Sequence, residues 1–74
     1  MEDKILEIVN TIRLHKGLNT LSSIQPENSL WNDLGFTSLD LAELTVRIED
    51  VFDIDIFEDG IVSTVGEIYQ KLDR

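Results

Sequence analysis

A chain of 74 residues without a single cysteine has to hold itself together by packing alone. Disulfides and thiolate metal sites, which staple many chains of this size, are closed to it, and a core this small only narrowly outweighs chain entropy. The 42% hydrophobic content is enough for a packed core. How those residues are spaced therefore decides the fold. Ile5, Ile8, Val9 and Ile12 recur at helical spacing, which predicts a first helix from about Asp3 to Lys16. Arg13, His15 and Lys16 in its last turn suit the negative end of the helix dipole, and Gly17 ends it.

From Gly17 to Thr37 runs a long connection holding Pro26, Asn28 and Asn32, but also Leu21, Ile24, Leu30, Trp31, Leu34 and Phe36. Structureless loops of this length are uncommon in compact domains, so its apolar residues are expected to pin it across the helices. Trp31 stays open between a core anchor and a half-exposed aromatic. The second helix starts at Thr37, because Thr37 and Asp40 have the spacing of a capping box, with Asp in place of the usual Glu or Gln. That leaves Ser38 free at the first helical position. At 100° per residue, Leu41, Leu44, Ile48, Val51 and Phe52 form a core stripe, with Thr45 among them. Leu39, Ala42 and Val46 lie on another side, rimmed by Glu43 and Asp50. Thr64 and Glu67 then open a last helix through Val65, Ile68, Tyr69 and Leu72, and DIDIFEDGIV between them has room for one short helical turn. The expectation is one all-α domain over residues 1–74, a small four-helix bundle of three main helices plus a short third helix.

Charge narrows the function. Of the net −9, the stretch Asp33 to Asp59 holds nine acids against Arg47 alone, a balance of −8. Such a field repels phosphate backbones, so nucleic acid is excluded and basic protein surfaces are favoured. The N-terminal MEDKILEIV begins with charges and has no apolar run for a signal or a membrane span, which reads as a cytoplasmic chain without membrane insertion. One histidine and no cysteine leave no nucleophile with a base, so no catalytic residue is assigned. Asp55, Asp59 and Gly60 match positions one, five and six of a calcium loop, but Phe57 and Gly66 stand where oxygen ligands are required, so no metal site is assigned either.

Ser29 to Ile56, SLWNDLGFTSLDLAELTVRIEDVFDIDI, resembles the acyl carrier protein family, whose hallmark is a Leu-Gly-x-Asp-Ser-Leu segment opening an acidic second helix. Leu34, Gly35, Ser38, Leu39, Asp40, Glu43, Leu44, Ile48, Glu49, Phe52 and Ile56 fall where that family places like residues. The resemblance implies a discrete, monomeric carrier with phosphopantetheine joined covalently to Ser38, bearing acyl groups as thioesters in fatty-acid or polyketide-type biosynthesis. It implies as partners a phosphopantetheinyl transferase and acyl-loading, acyl-transfer or condensing enzymes with basic docking patches. The docking face expected for them is Leu39, Asp40, Ala42, Glu43, Val46, Arg47 and Asp50. Thr37 stands where most members have Asp, and Arg47 interrupts the acidic face. Cargo is not written in the motif, so an aminoacyl or D-alanyl carrier stays open, as does an unmodified acidic helical adaptor.

Overall fold

The stretches with helical spacing are the helices of the computed structural model, which describes residues 1–73: α1 (Glu2–His15), α2 (Ser38–Phe52) and α3 (Val65–Leu72). No strand occurs among the described residues; Ser29 and Thr64 form an isolated antiparallel bridge. The architecture is all-α, as the apolar spacing requires. Helix α1 packs against α2 through Ile5, Ile8, Val9 and Ile12 on one side and Leu41, Leu44 and Ile48 on the other, and Val65 and Ile68 of α3 close the same core. Each buried aliphatic of this kind contributes about 1.5–3 kcal/mol relative to exposure.

The long connection supplies part of that core. Leu30, Leu34 and Phe36 are buried, and Leu21 and Ile24 pack against it half-covered. The backbone is tied in as well: Leu30 N–H donates to the Ser63 carbonyl (2.9 Å), Val65 N–H to Asn28 (3.1 Å) and Gly66 N–H to Pro26 (2.8 Å). Asn10 of α1 satisfies both polar groups of Leu21, accepting from its amide at 2.7 Å and donating to its carbonyl at 2.9 Å.

Two expectations need correction. The short helix between α2 and α3 is instead a pair of turns, closed by Glu58 N–H to Asp55 C=O and Gly60 N–H to Phe57 C=O. Asp55 Oδ1 accepts the Phe57 amide at 2.9 Å, so a side chain competes with the backbone for the donor a helix needs, and Gly60 leaves at φ 135°. Ile56 and Val62 of this segment are nevertheless fully buried. Val51, placed on the core stripe, is 48% exposed; it edges the groove between α1 and α2, walled by Lys4, Glu7 and Thr11. Phe52 meets the core half-buried. Asp53, with φ 59°, ends α2 in the left-handed conformation and donates its amide to Glu49 at 2.8 Å.

Candidate functional site

Helix α2 begins on a closed capping box. Thr37 Oγ1 accepts the Asp40 amide at 3.4 Å, and Asp40 Oδ2 accepts the Thr37 amide at 2.8 Å. The Thr37 hydroxyl donates to the same carboxylate oxygen at 3.0 Å. Thr37 therefore does the capping, and Ser38 follows as the first helical residue, exposed to solvent. First-turn amides have no carbonyl four residues back to bond, and they carry the positive end of the dipole. An exposed primary hydroxyl beside them is a place where an anionic substituent is tolerated.

An apolar cleft of about 280 Å³ opens next to this hydroxyl. Leu41, Ala42 and Thr45 of α2 form its floor, and Trp31, Phe57 and Ile61 its walls. Trp31, 40% exposed, is thus a cleft wall rather than a core anchor, and Ile61 is 77% exposed. Sequence reasoning missed Phe57 and Ile61. Neither belongs to a periodic pattern, and only the turns after α2 bring them to Ser38.

The expected docking residues divide. Leu39 is 81% exposed, Val46 67%, and Ala42 and Asp50 also face solvent. Glu43 and Arg47 are half-buried and bonded to each other at 2.8 Å, with His15 Nδ1 3.8 Å from the same Glu43 oxygen. Asp40 is a correction. It lies about 100° around the helix from Leu39, is 9% exposed, and bonds Lys16 Nζ at 2.6 Å, so its carboxylate is spent inside the molecule. Burial pushes that carboxyl up, but the bonds from Lys16 and Thr37, with the Lys16 charge, outweigh it and hold the group below its ordinary value. Along the exposed face, a groove formed with Glu49, Asp50 and Asp53 extends the acidic surface past Val46.

The sequence marks Arg13 only as a cation at a helix end. It donates from Nε to the Asn19 carbonyl at 2.9 Å and from Nη1 to the Leu34 carbonyl at 2.6 Å. No spacing in the sequence signals this, because its partners are backbone groups of an irregular segment.

A family model described as "Phosphopantetheine attachment site" matches residues 4–72. Among curated proteins, the chain is similar to an "Acyl carrier protein" of Syntrophus aciditrophicus (strain SB), 46% identical over 57 residues that cover 76% of this chain and 65% of that protein. It is also similar to an "Acyl carrier protein" of Amoebophilus asiaticus (strain 5a2), 46% identical over 50 residues, 65% of this chain and 62% of that one. The chain thus spans just under two thirds of the length of these relatives. No solved structure gives a significant match.

Proposed function

The chain belongs to the acyl carrier protein family, and from that membership we propose that Ser38 is the residue to which its phosphopantetheine is attached and that the chain carries acyl intermediates of fatty-acid or polyketide-type biosynthesis. The observation that carries this reading is the division of labour at the start of α2. Because Thr37 and Asp40 close the cap, the Ser38 hydroxyl is free and exposed beside first-turn amides. The residues present fit the group: an accessible nucleophile, an anion-tolerant helix start and an apolar cleft alongside. When bound, the arm supplies the thiol this chain lacks, on which an acyl group is held as a thioester.

The chain's own residues present, orient and dock, while the chemistry is done by partner enzymes. The cleft beside Ser38 is walled by apolar side chains, which suits acyl cargo; an aminoacyl load is the alternative that the mass of the natively loaded chain distinguishes. Partners are proposed to be a phosphopantetheinyl transferase and loading, transfer or condensing enzymes with basic patches, meeting a monomer in the cytoplasm. No helix among the described residues is long and apolar enough to cross a membrane. Leu39, Ala42 and Val46 provide the apolar contact. Glu43 is compensated by Arg47, so the charge available for steering basic partners lies further along, on Glu49, Asp50 and Asp53.

The test is intact mass after co-expression with a broad-specificity phosphopantetheinyl transferase. One added phosphopantetheine on the parent and none on Ser38→Ala is the expected result. A parent that never gains mass defeats the carrier reading in favour of the unmodified adaptor, and a Ser38→Ala variant still modified defeats the site.

A further inference from the structure

The turn that presents Ser38 is held on both sides from the C-terminal end of α1, by Arg13 of its last turn and by Lys16, its C-cap. Before the serine, Arg13 Nη1 bonds the Leu34 carbonyl at 2.6 Å. After it, Lys16 Nζ bonds Asp40 Oδ2 at 2.6 Å, on the oxygen that also accepts both Thr37 donors. Between the two grips the chain bends through Gly35 at φ 74°, a conformation open to glycine at little cost. Both grips are charge-assisted bonds at part-buried positions, the stronger kind of hydrogen bond. The fold does not need both for its core, since neither Arg13 nor Lys16 belongs to the apolar cluster. What they fix is the direction of the short segment bearing the hydroxyl.

We propose that Arg13 and Lys16 are positioning residues for the modification of Ser38, an inference that rests on the carrier reading above. In the step, Ser38 Oγ forms a bond to the phosphorus of a nucleotide-linked phosphopantetheine donor. The phosphoanhydride bond breaks, the nucleotide phosphate leaves with the electron pair, and the hydroxyl proton passes to a base of the transferase or to water. Arg13 and Lys16 touch none of these atoms. They set where Oγ stands when the donor arrives, and reaction rates are sensitive to displacements of about 1 Å. Docking is a separate matter, because Leu39, Val46 and Asp50 lie on the exposed face of α2.

Steady-state kinetics with a purified broad-specificity transferase and coenzyme A separate the two. Lys16→Met and Arg13→Met, which keep an apolar stem, are expected to lower kcat by about 10- to 100-fold with KM for the carrier chain unchanged. Lys16→Arg should restore kcat, and Asp50→Lys should do the reverse, raising KM and sparing kcat. Parent-like kcat in both Met variants, or a rise in KM alone, overturns the inference. Loss of far-UV helicity in both Met variants at a temperature where the parent is folded makes the two cations structural, and also overturns it. A parent that is not modified at all defeats the carrier reading itself, an outcome distinct from these.

Discussion

Replacing Thr37 by Ala removes the acceptor for the Asp40 amide and should cost about 1 kcal/mol of stability, as loss of a helix cap does. Ser38→Ala should leave the thermal midpoint at the parent value, because the serine carries no part of the cap. Equal midpoints for Thr37→Ala and the parent would reassign the cap. Asp40 gives the site a pH dependence whose sign follows from its environment. Its folded-state pKa lies below the ordinary value despite burial, owing to Lys16 and Thr37. The stabilisation is therefore complete above the ordinary carboxylate range and is lost as pH falls through the folded value, below about pH 4. Asp40→Asn should lower the midpoint at neutral pH and flatten the part of the acid slope that this residue contributes, measured by thermal melts across that range.

On α2, the core stripe and the proposed docking face point different ways, one buried and one exposed. Ile48, fully buried, should cost about 2–5 kcal/mol when cut to Ala, a large share of what so small a chain can have. Val46, 67% exposed, should leave stability nearly unchanged as Val46→Ala and weaken partner complexes instead. Thermal melts and transferase kinetics on the pair decide it, and an exchange of the two phenotypes would reverse the faces. On α3 the sensitive position is Gly66. Alanine is the better helix former by about 1 kcal/mol, yet a Cβ here would stand 3.0 Å from the Pro26 carbonyl oxygen and 3.3 Å from its Cβ. The Gly66 amide already bonds that oxygen at 2.8 Å, which holds the two backbones together. Gly66→Ala should therefore lower the melting temperature, since overpacking of this kind costs about 1–3 kcal/mol.

Across the whole molecule, the nine acids between Asp33 and Asp59 are only partly compensated. Lys16 answers Asp40, Arg47 answers Glu43, and Lys71 Nζ lies 3.7 Å from Asp59. Glu49, Asp50 and Asp53 remain close along one end of α2. Screening that repulsion should raise the thermal midpoint with added salt, by about 4–8 °C for each kcal/mol relieved in a chain of this size. A midpoint that falls as salt rises would show the internal ion pairs to outweigh the repulsion.

The residues by themselves determined the three helices, the Thr37 cap and the freedom of Ser38 from that cap. These depend on interactions within four residues of one another, where spacing and side-chain type are sufficient information. The separation of Leu39 and Val46 from Leu44 and Ile48 followed for the same reason, from helical geometry alone. Tertiary structure decided what long separations control. It withdrew Asp40 from the surface by bringing Lys16 to it across 24 positions, and it left Val51 in a groove that α1 does not fill. It turned the expected short helix into turns, yet seated Ile56 and Val62 in the core and brought Phe57 and Ile61 to the cleft. It also placed Arg13 against the Leu34 carbonyl, 21 positions away. Such contacts exist only once the helices have packed, because backbone carbonyls and irregular segments leave no periodic trace in a sequence by which a distant partner is specified.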